Sequence, residues 1–558
     1  MSNTTTPTEK TAMPWLNSYP EGVTWDIDPA AYSNVVEMLE EMFARYGDHE
    51  AQENLGYTMT YDQLEEASCH FAAFLQSNGL KPGDRIALQM PNVLQYLVAL
   101  YGAIRAGLTI VNLNPLYTAS EMLKPLRDSD AKAIVILANF ADKLEKILPE
   151  TKLQLVVVTE VGDMLPPLKR TLINAVVKYV KKMVPAFQLP QAISFTKALR
   201  SGRNQTYQKP SVSSDQTLFL QYTGGTTGVP KAADLSHANI VANVLQSKEW
   251  YSRLKPGQEV LLAALPFYHI FGLTVNSLFL MHLGAKLILI TNPRDMPGFI
   301  KTMQKHRFTV FTGLNTLFNG LMNQADFTSI KFPENGLYIA GGMALQQAVG
   351  ERWLQLTGCP IVEGYGLSET SPVLTCNHPL QNRPGTIGLP LPRTELRIMD
   401  DQGQEVPMGE RGEICARGPQ VMKGYFKQPE ETKRVFFAGG WFRTGDVGVM
   451  DEGGYVRIVD RMKDMILVSG FNVYPNEVED EIAKHPGVLE CAVVGMPDSE
   501  STERVKACIV RKDPNLTEED VITHCRKTLT GYKVPKHVQF YDQLPKSNVG
   551  KILRRELR

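Results

Sequence analysis

Leu218-Phe219-Leu220-Gln221-Tyr222-Thr223-Gly224-Gly225-Thr226-Thr227-Gly228-Val229-Pro230-Lys231 reads as an apolar strand running straight into a loop of glycines and threonines. Glycines let the backbone curl so that several N–H groups converge on one anion. Thr223, Thr226 and Thr227 add hydroxyl donors, and Lys231 adds positive charge. The chemistry is that of a triphosphate cradle at the end of a buried strand. Two better-known phosphate motifs do not fit. A P-loop needs Gly-Lys-Ser/Thr, whereas Val229 and Pro230 part Gly228 from Lys231 and Ala232 follows. The dinucleotide fingerprint needs G-x-G-x-x-G. The bland alternative is a surface turn, and the loop alone names no reaction.

Working outward, strand-like and helix-like segments alternate. Arg85–Met90 reads as a strand and Val93–Ala106 as a helix. Ala133–Leu137, Leu155–Thr159, Leu218–Tyr222, Val260–Leu265, Leu287–Ile290 and Tyr338–Ala340 are further apolar runs bounded by turn residues. This predicts an α/β fold, a large multi-subdomain N-terminal part with helices packed on β-sheets. The last hundred residues form a small α+β unit: helices over Asn476–Lys484 and Glu518–Thr528, strands over Leu489–Gly495, Val505–Arg511 and Val538–Tyr541. The polar run Asp460–Lys463 marks the boundary, giving a large portion 1–459 and a small portion 460–558.

At 558 residues the chain exceeds one compact core, and roughly 100–200 residues per domain suggests three or four units. A net charge of −1 gives no global reason to expect nucleic acid as a partner. The seven cysteines form no C-x-x-C pair, which argues against a zinc site or a disulfide framework. The polar start, Met1 to Pro20, lacks a signal-peptide core, and no apolar run reaches membrane-spanning length. The expected location is the cytoplasm, with peripheral contact on the inner face of the membrane as a further candidate.

That candidate comes from one segment. Between Asp163 and Asp215 there are nine Lys or Arg and no acidic residue. Within it Leu168–Phe187 has helical periodicity, with Leu168, Leu172, Val176, Tyr179, Val180, Met183 and Phe187 on one face. Arg170, Lys178 and Lys181 lie opposite, Lys182 at the edge, and Lys169 is the exception. Two readings stand: a basic amphipathic helix on an anionic membrane through 168–187, or a helix whose apolar face packs on its own protein.

Four further segments accompany the loop. Glu363-Gly364-Tyr365-Gly366-Leu367-Ser368-Glu369-Thr370 offers an aromatic face for a base and a carboxylate of the kind Mg²⁺ prefers. Gly440-Trp441-Phe442-Arg443-Thr444-Gly445-Asp446 offers an Asp on a turn, suited to ribose hydroxyls. Asp460-Arg461-Met462-Lys463-Asp464 sits at the boundary. Pro545-Lys546-Ser547-Asn548-Val549-Gly550-Lys551 puts a lysine on a loop near the C-terminus. Alone, each has an ordinary structural explanation; together, in this order, they resemble the acyl-adenylate-forming superfamily of acyl-CoA synthetases, peptide-synthetase adenylation domains and luciferases. Within it the chain is most similar to bacterial long-chain fatty acyl-CoA synthetases, from about Tyr32 to Arg555. Gly440 to Asn472 looks like that subgroup's fatty-acid signature. Leu265-Pro266-Phe267-Tyr268-His269-Ile270-Phe271-Gly272 and Ala340-Gly341-Gly342-Met343 look like its substrate-pocket and adenine-site segments.

The resemblance implies a ligase that activates a long-chain fatty acid with ATP to acyl-AMP, releases pyrophosphate, and passes the acyl group to coenzyme A. By that likeness Thr223, Gly224, Gly225, Thr226, Thr227, Gly228 and Lys231 hold the phosphates, and Thr223 and Glu369 position Mg²⁺. Tyr365, Gly366 and Ser368 with Gly341 and Gly342 form the adenine site. Asp446 takes the ribose, with Arg461 assisting. Lys551 reaches the carboxylate and α-phosphate, and His269 gates the acyl pocket. Lys463 is the hinge about which the small C-terminal part swings, after which Gly470 faces the CoA channel. A homodimer is a further candidate. The Leu- and Phe-rich stretches Thr274–Leu283 and Phe308–Met322 could line an acyl tunnel or be ordinary core.

The chain departs from the family pattern at three places. Ala232-Ala233-Asp234-Leu235 follows Lys231 where glycine is usual, and Asp234 is expected to point away from the phosphates. Arg443 stands for a common His, and Ser368 for a common Thr. Alternatives remain open: an aryl or medium-chain CoA ligase, an acyl-AMP ligase serving a carrier protein, a non-catalytic acyl-nucleotide or lipid-uptake factor, or a kinase. Lys551 and Glu369 argue against the non-catalytic reading, and the missing P-loop against the kinase.

Overall fold

Apolar runs flanked by turns become parallel strands because burial on both faces needs a helix on each side. The computed structural model, described for residues 13–223, 231–498, 501–547 and 550–558, has four sheets. The first has nine strands. Its parallel centre runs Ile361–Gly366, Leu337–Ala340, Val310–Gly313, Val260–Ala263, Lys286–Leu289 and Glu50–Asn54. The second has eight strands, with Thr217–Thr223, Thr109–Asn112, Arg85–Gln89, Ala133–Leu137, Leu155–Thr159 and Ile193–Ser194 in parallel succession. Helix Leu94–Arg105 touches strands of both sheets, and each of its residues is buried, which is why its sequence is apolar nearly all round.

The third sheet is antiparallel, and its strand Trp441–Met450 pairs with Val456–Arg461. The fourth holds Ile466–Val468, Phe471–Val473, Val488–Asp498, Thr502–Arg511 and His537–Tyr541, with helices Pro475–Ala483 and Glu518–Arg526 and a core of its own. The change of sheet therefore falls between Arg461 and Ile466, and Asp460 and Arg461 still belong to the last strand of the third sheet.

The predicted strands and helices are found within a few residues of their expected ends, with one correction. Leu168–Phe187 is not one helix. A helix spans Pro167–Ala175, a wide π turn follows over Val176–Val180, and Lys182 takes a φ of 51° that ends the run. Phe187 then packs on the core under the second sheet. Nor does the apolar face pack on the protein: Leu168 is 90% exposed, Tyr179 70% and Leu172 63%. The helix instead rests on its other side, where Ile173 meets the core and Asn174 bonds Glu160, Asp163 and the Gly162 N–H. No helix among the described residues is long and apolar enough to cross a membrane.

Candidate active site

In a parallel sheet, loops at the carboxyl ends of the strands are where a ligand finds convergent backbone groups. Here the carboxyl ends from both large sheets open on one cavity of about 570 Å³, within the ~300–1,000 Å³ usual for small-ligand sites. Strand Thr217–Thr223 delivers Thr223, Leu337–Ala340 leads into Gly341 and Gly342, and Ile361–Gly366 carries Tyr365 and Gly366. Val260–Ala263 leads to Leu265, Pro266 and His269. The third sheet adds Asp446 and Arg461, and the C-terminal loop adds Lys551.

Thirteen of the expected residues thus line one space: Thr223, Lys231, His269, Gly341, Gly342, Tyr365, Gly366, Ser368, Glu369, Asp446, Arg461, Lys463 and Lys551. Gly470 does not; it sits exposed on the turn between Ile466–Val468 and Phe471–Val473, with a φ of 84°. Gly224, Gly225, Thr226, Thr227 and Gly228 lie outside the described residues. Of the two Leu- and Phe-rich stretches, Val275 and Leu314 reach the cavity and most of the rest is core.

The floor is a network of buried hydrogen bonds. Asp446 is 3% exposed; the Tyr365 hydroxyl donates to it at 2.7 Å and Arg461 Nε approaches at 3.2 Å. Burial, with the Asp446 charge, holds the Tyr365 phenol well above its ordinary pKa, so the bond keeps its proton. Arg461 faces Asp446 across paired strands, which fixes their register. Two close approaches need glycine. A Cβ on Gly366 would lie 1.8 Å from the Pro372 carbonyl oxygen, and one on Gly341 2.8 Å from the Phe271 ring. Side chains there would displace strand or slot.

Glu369 sits in a short turn, Ser368–Thr370, and accepts the Tyr425 hydroxyl at 2.7 Å. Burial raises its pKa, while Tyr425, Arg461 and Lys231 oppose the shift. Lys231 pairs with Glu431 and lies 5.4 Å from the Tyr425 ring centre. Tyr425 and Glu431 went unseen in the sequence. They arrive on Gly424–Tyr425, which pairs with strand Lys231–Ser236, and on the short helix Pro429–Arg434. Glu413, also unseen, accepts the Gly445 N–H at 2.9 Å and pairs with Arg443 at 2.8 Å, bracing Asp446, which lies within strand Trp441–Met450 and not on the expected turn. Asp234 faces away as expected: it accepts the Thr217 hydroxyl at 2.7 Å, at the far end of its strand.

Two basic groups are altered by burial. Lys551 is pushed down to about 7, by burial first and then by the Arg461 charge. His269 is pushed down to about 4 by burial and then by Lys551, so it is neutral at pH 7. Among the described residues no three His, Cys, Asp or Glu gather to hold a metal. The oxygen donors facing the cavity, Glu369 and Thr223, suit a hard cation that arrives on phosphate oxygens.

Comparison with known proteins agrees with this geometry. Residues 39–426 match the model of the AMP-binding enzymes, and 477–551 that of the AMP-binding enzyme C-terminal domain. The chain is 53% identical to the long-chain-fatty-acid–CoA ligase of Escherichia coli O6:H1 over 547 residues, covering 98% of this chain and 97% of the relative. It is 48% identical to the ligase of the same name from Haemophilus influenzae, covering 98% of each. Among solved structures, an anthranilate CoA ligase in complex with anthranoyl-AMP superposes with a TM-score of 0.84 at 25% identity, covering 95% of this chain and 98% of that one. ATP-bound MatB from Rhodopseudomonas palustris gives 0.77 at 30% identity, covering 94% and 98%.

Proposed function

The chain belongs to the AMP-binding enzymes, and from that premise we infer that it joins a long-chain fatty acid to coenzyme A through an acyl-adenylate. The fatty carboxylate attacks the α-phosphorus of ATP, a P–O bond breaks, pyrophosphate leaves, and acyl-AMP remains. The CoA thiol then attacks the acyl carbon and AMP leaves. The observation that carries this reading is the convergence of Thr223, Lys231, Tyr365, Glu369, Asp446 and Lys551 on one cavity.

The first step brings two anions together, so the site must supply positive charge and in-line geometry. Lys551 serves the carboxylate and the α-phosphate, and Lys231 the outer phosphates. Asp446, fixed by Tyr365 and Arg461, accepts the ribose hydroxyls, and the Tyr365 ring with the Gly341–Gly342 slot takes the adenine. Neutral His269 adds no charge; its ring offers a hydrogen bond beside the carboxylate and screens the acyl side. Glu369 and Thr223 would hold Mg²⁺ carried by the phosphates, which neutralises charge on the departing pyrophosphate. Ile270, Phe271, Val275, Leu314, Val373 and Leu391 make an apolar wall, and each methylene buried against such a wall is worth ~0.8 kcal/mol.

We assign the residues up to Arg461 and those from Ile466 onward to separate bodies with Lys463 as the hinge, which moves the expected 459/460 boundary past the strand that holds Asp460 and Arg461. Support comes from the four residues, 462 to 465, that alone separate the last strand of the third sheet from the first of the fourth. The second step needs Lys551 out of the cavity, and turning about Lys463 would carry Gly470 towards it. The test of the whole reading is product analysis with ATP, Mg²⁺, CoA and acids from acetate to oleate. Acyl-CoA and AMP, formed best from the long acids, are expected; ADP, or no nucleotide product with any acid, overturns it.

Peripheral membrane contact is a second proposal, supported by the exposed face of Pro167–Val180. Leu168, Leu172, Tyr179, Val180 and Met183 face solvent, flanked by Lys178, Lys181 and Lys182. An apolar strip edged with lysines fits an anionic leaflet. Co-flotation with anionic vesicles, lost on changing Leu168, Leu172 and Tyr179 to Ser, is the expected result; flotation unchanged by that substitution rules the strip out.

A further inference from the structure

We propose that Arg554 is a positioning residue for Lys551, acting through carboxylates on both sides of Lys463. The inference rests on the reading of Lys551 and Lys463 given above. Arg554 follows Lys551 by three residues and opens the short turn Arg554–Glu556. The Arg554 guanidinium grips three carboxylates. Its Nε and Nη2 meet Glu479 at 2.8 to 3.1 Å, and its Nη1 lies 3.5 Å from both Asp460 and Asp464. Nη2 also donates to Asn476 Oδ1 at 2.7 Å.

The partners are not equivalent. Glu479 and Asn476 lie on helix Pro475–Ala483, within the same small unit as Arg554, so those contacts survive any movement of that unit. Asp460 is different. It is the penultimate residue of strand Val456–Arg461, whose last residue, Arg461, pairs with Asp446 on the cavity floor. Its carboxylate is fully buried and accepts the Arg461 N–H at 2.7 Å and the Asn476 N–H at 2.9 Å as well as facing Arg554. Asp460 and Asp464 flank Lys463, and Arg554 spans them. Arg558 adds a second contact from the tail, to the Lys463 carbonyl at 3.3 Å and Asp464 at 3.1 Å.

A rotation at Lys463 separates Asp460 from the unit that carries Asp464, Glu479 and Arg554, so Arg554 and Asn476 must release Asp460 together. The bridge therefore exists in the orientation that places Lys551 in the cavity, and it sets that lysine against the floor. An arginine suits the task because its planar fork meets several carboxylates at once and never loses its charge. A misplaced cation costs rate steeply: an error near 1 Å can cost about a hundredfold.

The experiment separates the two half-reactions on the full chain: pyrophosphate release from ATP with a long acid, and thioester formation from supplied acyl-AMP and CoA. Arg554→Gln and Asp460→Asn are each expected to slow the first about a hundredfold and to leave the second within about twofold. Arg554→Lys recovers part of the loss. Asp460→Asn changes no volume, so it carries the test if Arg554→Gln does not fold. Equal loss in both half-reactions, or an unaffected first one, overturns the inference. Lys551→Ala run alongside tells the layers apart. If it splits the half-reactions and the Arg554 and Asp460 variants do not, only the positioning role falls; if it does not split them, the reading of Lys551 falls and takes this inference with it.

Discussion

Asp446 and Lys551 face the same cavity, but the chain holds them by opposite means. Asp446 sits on a ten-residue strand paired on both sides, with the preceding Gly445 N–H tied by Glu413 and its own carboxylate by Tyr365 and Arg461. Lys551 arrives on a loop. The small unit that carries this loop meets the large part of the molecule through a few side-chain contacts: Thr316 Oγ1 donates to the Gly550 carbonyl at 3.0 Å, Asn319 Nδ2 to the Leu489 carbonyl at 2.8 Å, Gln346 lies 3.6 Å from the Cys491 sulfur, and Arg554 reaches Asp460 at 3.5 Å. The neutral bonds among these are worth about 1 kcal/mol each, and the Arg554 contact to Asp460 is a single ion pair at 3.5 Å. The floor is built to keep its geometry, whereas the arm is docked by bonds weak enough to break within a catalytic cycle.

The sharpest way to break the comparison is to remove the arm's one reacting group. Lys551→Ala should lower acyl-AMP formation about a thousandfold, as loss of a donor aimed at developing charge does, and spare thioester formation from supplied acyl-AMP. Equal loss of both would make the arm part of the floor. Next comes the hinge. Lys463→Pro fixes φ and removes an N–H, so it should slow the CoA step about a hundredfold while adenylation continues; CoA transfer at the parent rate would put the pivot elsewhere.

What the sequence disclosed follows the same division. Strands of the large sheets were legible because burial on both faces leaves continuous apolar runs, and the residues at their carboxyl ends, Thr223, Gly341 and Tyr365, were legible with them. Tyr425, Glu431 and Glu413 were not. Tyr425 and Glu413 reach the site through pairing with strands distant in the chain and Glu431 through the short helix that follows, and a Tyr or Glu in such a place carries no local mark. The segment 168–187 shows the limit of periodicity. It located the apolar face correctly, but could not tell that the face is bare, nor that Lys182 stops the helix before Phe187. The stretches rich in Leu and Phe failed as tunnel markers for a related reason, since core and pocket wall use the same residues.

The floor can be probed at one of the residues the sequence hid. Tyr425→Phe removes the hydroxyl that Glu369 accepts and leaves that buried carboxylate short of a donor. A loss of 1–3 kcal/mol is the usual cost of such a bond, so the KM for ATP should rise about tenfold or more, while thioester formation from supplied acyl-AMP, which uses neither ATP nor pyrophosphate, stays near the parent rate. An equal loss of thioester formation would mean that Tyr425 braces the floor as a whole and not Glu369 alone.

The smallest effect is in pH, and it separates arm from floor without any substitution. Burial, then the Arg461 charge, brings Lys551 down to about 7. The protonated form is the one that can meet a carboxylate and a phosphate, so it is progressively lost as pH rises through that value. Because kcat/KM reports groups on the free enzyme, kcat/KM for adenylation should decline above about pH 7. In the complex the anions of ATP and the fatty acid favour the charged lysine, so kcat should hold to higher pH. Thioester formation does not use this lysine and should show no such decline; attack by the thiolate should favour it as pH rises. Lys551→Arg keeps its charge at any working pH, so whatever activity it retains should lose the alkaline limb. Parallel profiles for the two half-reactions, or an alkaline limb that persists in Lys551→Arg, would place the titrating group on the floor instead of the arm.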